Sequence, residues 1–447
     1  MNNSIMIDLQ TYINNSKLNI EKYSQLIKQR KSMCFDTIST HGVYDLHEAM
    51  KNQGSIIEPI FMSTAQAFQD ANELEASLSY QIPSWSYSRI HNPTLYYLES
   101  TLSLLESYKS NINTNCCVTS SGMAAITLVI ENLLSYNNSN FISSSSVYGG
   151  TFQQFSIQQK HKNNIVRWVD NDANIDLWES YIDSNTRFIY IEMPTNPLLK
   201  ISNIIELSLL AHKYEIPLIV DSTLATPALL RPIELGADIV IHSLSKTIGS
   251  SGVAIGGAII AKENITSKFL PAEIKQNFAQ YLKLLPNRDN GACLSPMHAF
   301  LILSDLRTLR SRVKHLSEST ETIISFLTQH KKVNTIYYPK FSLDNNSSIF
   351  TLVDTNIKLY GHLLSFTING NLNQTKKVLS KLQLIYRATD LGRIKSVATI
   401  PAISTHLQQG ENGQRLASIP QNLIRLSVGS EDPIDIINDL DTALQEI

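Results

Sequence analysis

Two short apolar runs that each end in an ionisable group constrain this chain more than any other feature. Ile216-Pro217-Leu218-Ile219-Val220 leads into Asp221-Ser222-Thr223, and Asp238-Ile239-Val240-Ile241 leads through His242-Ser243-Leu244-Ser245 to Lys246. Runs this short, rich in β-branched residues and without polar alternation, suit parallel strands covered on both faces. In open α/β sheets the ligand crevice lies outside the carboxyl ends of the strands. Asp221 and Lys246 are therefore expected in one crevice.

An acid and a lysine placed in this way suit pyridoxal 5′-phosphate. That cofactor needs a lysine for its Schiff base and a carboxylate that keeps the pyridine nitrogen protonated, since the cationic ring is the better electron sink. A surface ion pair at two strand ends is the plainer reading of the same residues. Ser120-Ser121-Gly122-Met123 precedes the helix-favouring run Ala124-Ala125-Ile126. A helix amino terminus offers free N–H groups to an anion, and Gly122 lets backbone approach closely; an ordinary helix cap is the alternative. Arg425 lies inside the apolar run Leu423-Ile424-Arg425-Leu426-Ser427-Val428. It is costly to bury there without an anion, and a substrate carboxylate or a structural acid would supply one.

The remaining features bound the class. The 447 residues, 43% of them hydrophobic, can build a large core and suit two or three domains. A formal charge of -2 and the lack of a long basic block argue against nucleic acid or a membrane surface as partner, and favour small-molecule substrates. Cys34, Cys116, Cys117 and Cys293 form no CxxC pair and no metal-binding spacing, so they read as reduced thiols with no metal site. Residues 1–20 are polar and Asn-rich without the apolar stretch of a signal peptide. No apolar run reaches the ~18 residues of a membrane span, so a cytoplasmic location is expected.

Along the chain, residues 9–31 have helical spacing and form part of an amino-terminal extension and arm, 1–72. Helices then alternate with short apolar strands such as Phe188-Ile189-Tyr190-Ile191, the βαβ pattern of a mainly parallel sheet, giving a large cofactor domain over 73–294. The Asn- and Ser-rich stretches 111–115 and 137–146 read as surface loops or turns. A boundary is expected near Ser295-Pro296, followed by a smaller α+β domain over 295–447 with helical spacing at 297–326, a strand at 365–368 and a closing helix at 434–447.

Several blocks, in order, resemble the cystathionine γ-synthase family of pyridoxal-phosphate enzymes of sulfur amino-acid metabolism. They are Tyr87-Ser88-Arg89-Ile90-His91-Asn92-Pro93-Thr94, Ser120 to Ala125, Tyr148-Gly149-Gly150-Thr151, Glu192 to Leu198, Val220 to Pro227, Asp238 to Lys246 and Ile424 to Gly429. The resemblance implies the fold type I (aspartate-aminotransferase-like) α/β architecture and a homotetramer built as a dimer of dimers. It gives Lys246 the Schiff base and Asp221 the ring nitrogen. Phosphate contacts fall to the amides of Gly122 and Met123 and the hydroxyls of Ser243 and Ser245, with Tyr87 and Arg89 reaching across a subunit interface. Tyr148 matches the ring that stacks on the cofactor and shares in proton movement, and Asn196 lies near the phenolic oxygen. Arg425 matches the arginine that binds the substrate α-carboxylate. Glu192 reads as a support for the groups that touch the cofactor or, equally, as a surface acid at a strand end.

The chain departs from its relatives at Ser245, Thr247 and Ser250-Ser251, and most in Asp390-Leu391-Gly392-Arg393-Ile394-Lys395-Ser396, where relatives often show Ser-Leu-Gly-Gly-x-Glu-Ser. Lys395 and Ser396 are thus candidates for substrate binding. A lysine in place of the glutamate would repel the distal ammonium of cystathionine. Asp390 is left to pair with Lys395 or Arg393. The implied activity is γ-replacement on an O-activated homoserine by a sulfur nucleophile, as in O-acetylhomoserine sulfhydrylases and cystathionine γ-synthases. γ- or β-Elimination, replacement by a non-thiol nucleophile, and a catalytically silent scaffold are the alternatives.

Overall fold

The computed structural model describes residues 7–134, 138–342 and 349–447. Seven strands make the larger sheet: β1 Thr114–Thr119, β2 Asn140–Ser144, β3 Ile165–Val169, β4 Thr186–Glu192, β5 Leu218–Asp221, β6 Ile239–Ser243 and β7 Gly257–Lys262. Their order is β1-β7-β6-β5-β4-β2-β3, and β7 alone runs antiparallel to its neighbours. The sheet is buried on both faces, which is why β5 and β6 read as unbroken apolar runs. Leu218 and Val220 enter one core cluster, and Ile219 between them enters the other. Each such burial contributes roughly 1.5–3 kcal/mol.

Two polar stretches behave differently from the sequence expectation. Thr114 and Asn115 begin β1, and 140–144, inside the expected loop 137–146, form β2, paired on both sides between β4 and the edge strand β3; Asn137 lies outside the described residues. Burying a serine-rich strand requires a partner for each hydroxyl. Ser144 Oγ donates to Asp172 at 2.9 Å, Ser143 Oγ to the Ser144 carbonyl at 3.0 Å, and Asn140 Nδ2 to Asp183 at 2.8 Å.

The second sheet comprises β8 Val333–Tyr337, β9 Leu363–Ile368, β10 Tyr386–Arg387, β11 Val397–Thr399 and β12 Leu423–Ser427, in the order β10-β11-β12-β9-β8. Helices Leu309–Gln329, Leu372–Lys381 and Pro433–Leu444 pack together beside it. Helix Pro296–Leu306, which starts at the expected boundary, packs against helix Pro93–Glu106 of the large sheet's layer. Helix Leu9–Lys31 is capped by Asp8, whose carboxylate accepts the Gln10 N–H, and carries Lys28, Arg30 and Lys31 in its last turn, where the helix dipole favours cations. Among the described residues no helix is long and apolar enough to cross a membrane.

Candidate active site

The parallel strands β4, β5 and β6 end side by side, and their carboxyl ends carry Glu192, Asp221 and Ser243. A cavity of about 500 Å³ opens there, walled on the far side by residues 389–393 and by Arg425 of β12. Lys246, three residues beyond β6, points into it. Of the residues singled out from sequence, Gly122, Met123, Tyr148, Asn196, Asp221, Ser243, Ser245, Lys246 and Arg425 all line this one cavity.

At its base, Asp221 is buried, and its hydrogen-bond partners are neutral. Oδ1 accepts the Thr223 N–H at 3.0 Å and the Thr223 hydroxyl at 2.6 Å; Oδ2 accepts the Tyr190 hydroxyl at 3.4 Å. Glu192 stands opposite Asp221 on β4 and accepts N–H groups from Tyr148 at 2.7 Å and Asn196 at 2.8 Å. Burial pushes both carboxyls up, and the neighbouring Asp221 charge raises Glu192 further. A protonated ring nitrogen at Asp221 would supply the missing cation. The residues present therefore fit pyridoxal phosphate.

The opposite end fits its phosphate. Helix Gly122–Leu133 begins at the cavity with Ser121 as its cap, whose hydroxyl accepts the Ala124 N–H at 3.1 Å and leaves the earlier amides unused by it. Gly122 has to be glycine, because a Cβ there would sit 2.7 Å from Ser243 Cβ. Ser245 Oγ is engaged with Gly256, accepting its N–H at 3.0 Å and donating to its carbonyl at 3.2 Å, which pins the loop after the lysine.

Lys246 Nζ donates to Asp390 Oδ1 at 2.6 Å. Burial lowers the affinity of its amine for a proton, and Asp390 pulls the other way without fully offsetting this. Burial likewise pushes the Asp390 carboxyl up, but the bonds from Lys246 and Arg393 outweigh it and hold it below its ordinary value. Arg425 is fully buried. Its Nη1 donates to Asn196 Oδ1 at 3.1 Å and its Nη2 to the carbonyls of Thr389 and Asp390, both at 2.9 Å; its Nε has no partner within the protein. An arginine so placed has donor capacity for a bidentate carboxylate.

Four sequence candidates lie elsewhere. Tyr87 is exposed and Arg89 bonds the Arg288 carbonyl, both outside this chain's own cavity. Lys395 is solvent-facing with Nζ 3.5 Å from the Tyr386 hydroxyl, while Ser396, one residue on, turns inward and donates to Glu431 at 2.9 Å. Alternation at the entry to β11 separates them, and neither reaches the cavity. Asp390 pairs with Arg393 and not with Lys395. The sequence alone marks no role for Thr223, Thr389 or Thr405, which line the cavity. Only Thr223 carried a local signal, as a hydroxyl two residues after an aspartate.

A family model described as Cys/Met metabolism PLP-dependent enzyme matches residues 39–445. The chain is 30% identical to an L-methionine gamma-lyase of Fusobacterium nucleatum, over 88% of this chain and 94% of that one. It is 33% identical to a cystathionine gamma-synthase of Haemophilus influenzae, over 87% of this chain and 92% of that one. Among solved structures, a putative O-acetylhomoserine (thiol)-lyase of Campylobacter jejuni, which carries a pyridoxyl-lysine phosphate, superposes with a TM-score of 0.81 at 30% identity and covers 92% of this chain and 100% of that one. Such neighbours are fold type I pyridoxal-phosphate enzymes, and the mixed seven-stranded sheet with its smaller partner is that architecture.

Proposed function

The chain belongs to the Cys/Met metabolism family of pyridoxal-phosphate-dependent enzymes, and from that premise we propose that it performs γ-replacement on an O-activated homoserine with a sulfur nucleophile, forming homocysteine or cystathionine. One observation carries the reading. A partly desolvated lysine amine, a buried unpaired acid and a buried arginine with a spare donor face a single cavity of about 500 Å³. That is the equipment needed to seat an amino acid above the cofactor and move protons along its side chain.

Pyridoxal phosphate, when bound, supplies the electron sink that makes the C–H bonds of an amino acid ionisable. Asp221 would keep its ring nitrogen protonated. The amides of Gly122 and Met123, with Ser243 and Ser245, would hold its phosphate, and Tyr87 and Arg89 of a neighbouring subunit would complete the phosphate site. Arg425 clamps the substrate carboxylate, which fixes the Cα–H bond relative to Lys246. Lys246 would carry protons between Cα, the cofactor's C4′ and Cβ, giving up each before taking the next, as the γ-substituent departs with its bonding electrons and the sulfur nucleophile takes its place. Tyr148 covers the site and shares in proton movement. Because Lys395 faces solvent, selection among substrates falls to the cavity's own lining, above all Asp390 and Arg393.

The test is to give the cofactor-loaded enzyme O-acetyl-, O-succinyl- and O-phosphohomoserine, L-cystathionine and L-methionine, each with and without sulfide or cysteine, and to identify products by mass spectrometry. Thiol-dependent homocysteine or cystathionine is the expected result. A keto acid released without any thiol would make the enzyme a lyase and overturn the proposal.

A further inference from the structure

Asp390 is a carboxylate in the middle of the candidate site to which the proton transfers above assign no part. Its Oδ1 accepts Lys246 Nζ at 2.6 Å and its own neighbour's amide, Leu391 N–H, at 2.9 Å, while Oδ2 takes the Nε of Arg393. Arg393 is anchored at its other end, where Nη1 donates to the Gly249 carbonyl at 3.1 Å on the glycine-rich segment that follows the lysine. The carboxylate is thereby held from two sides. Its backbone carbonyl, with that of Thr389, also carries Arg425 Nη2.

The charges around it are unbalanced without it. Lys246, Arg393 and Arg425 converge on this side of the cavity, and Asp390 is the acid that pairs with two of them. Glu192 and Asp221 lie at the strand ends, and Tyr148 lines another wall. His362 sits behind Thr247, its Nε2 at 3.5 Å from the Thr247 hydroxyl, and burial keeps it neutral. A carboxylate needed only to satisfy Arg393 would have no reason to hold the lysine amine as well.

We propose that Asp390 is the positioning residue for the released Lys246 amine, receiving it as an ammonium and setting the pH at which it gives its proton up. The proposal rests on the reading of Lys246 as the proton carrier. The proton balance is simple: each time the neutral amine takes a proton it becomes an ammonium paired with Asp390, and it gives that proton up before it takes the next. Two cations and one anion then remain beside the lysine throughout the cycle. The loop that presents Asp390 also supports the carboxylate clamp, so lysine and substrate are held by one segment.

Two variants test this in opposite directions. Asp390→Asn keeps the shape and removes the charge; Arg393→Gln keeps Asp390 and removes the repelling cation. The readout is the pH dependence of the rate at which the full chain, stripped of cofactor, recaptures pyridoxal phosphate, followed by visible absorption. That rate reports the free amine of Lys246 independently of turnover. An opposite charge within about 4–6 Å moves a titration by about 1–3 pH units. Asp390→Asn should therefore shift the profile by that amount to lower pH, and Arg393→Gln should shift it to higher pH. Profiles that coincide with wild type, or that move the other way, overturn the proposal. If Asp390→Asn fails to bind cofactor, Arg393→Gln decides alone by the same criterion. The titrations do not depend on which product forms, so a lyase result in the thiol assay and a failure here are read separately.

Discussion

Arg425→Met should nearly abolish turnover while leaving the folded state about as stable as before. Burial pushes the guanidinium down to about 10. Relative to an ordinary arginine, at about 1.36 kcal/mol per pH unit, keeping it charged in the fold costs about 3 kcal/mol. The substitution removes that cost, and it also takes donors from Asn196 Oδ1 and from the carbonyls of Thr389 and Asp390. An acceptor left unpaired costs about 1–3 kcal/mol, toward the low end where a cavity admits water. The opposing effects are of similar size, so stability should change by no more than about 2 kcal/mol. Substrate, by contrast, loses a charged hydrogen-bonded partner, a loss of about 2–5 kcal/mol or roughly 30-fold to several thousand-fold in kcat/KM. The assay pairs urea unfolding of the cofactor-loaded variant with steady-state kinetics, using visible absorption to verify that cofactor is retained. A kcat/KM within about threefold of wild type would refute the assignment of Arg425 to the substrate carboxylate, and a collapse of folding would refute the stability argument.

Three further outcomes are expected. Gly122→Ala places a Cβ 2.7 Å from Ser243 Cβ and 3.1 Å from its Cα, so the helix must back away from β6; equilibrium dialysis should show pyridoxal phosphate bound at least about tenfold more weakly, and unchanged affinity would remove the helix terminus from the phosphate site. Arg89→Ala and Lys246→Ala should each be inactive alone, and mixing the two after dissociation should restore part of the activity, because a mixed assembly contains sites with both residues intact; no recovery would place Arg89 in service of its own chain. Burial pushes the Asp238 carboxyl up, but His212 at 2.8 Å and Lys262 at 2.7 Å, with N–H groups from Leu218 and Thr266, outweigh it and hold it below the ordinary value. Its contribution is present above an unfolded pKa of about 4 and fades as pH falls through the lower folded value, so Asp238→Asn should lower the urea midpoint at neutral pH and narrow its gap to wild type as the pH falls below about 4.

What was legible in the sequence followed from local rules. Strands β5 and β6 announce themselves because burial on both faces demands unbroken apolar runs, and the acid and lysine at their ends follow from where α/β sheets keep their crevices. Strand β2 escapes such rules because its polarity reads as exposure, whereas Asn140, Ser143 and Ser144 are buried and satisfied by partners such as Asp183 and Asp172, up to 43 residues away. The same distance problem hid the Lys246–Asp390 contact, which joins residues 144 positions apart. Lys395 drew attention as an unusual charge, but whether a side chain at a strand entry faces the site or the solvent depends on register, which composition does not reveal.

Thr223 ties two strands of the site together. Its hydroxyl donates to Asp221 at 2.6 Å and accepts the Ser243 N–H at 2.8 Å, so one oxygen joins the end of the acid's strand to the end of the lysine's. Mutations on either side of that oxygen cannot be judged separately. A change that shifts β5 reaches β6 through it, and a substitution harmless beside threonine becomes harmful beside valine. Laboratory evolution of this site should therefore find its accessible paths branching at position 223, with the order in which changes arise deciding which of them survive.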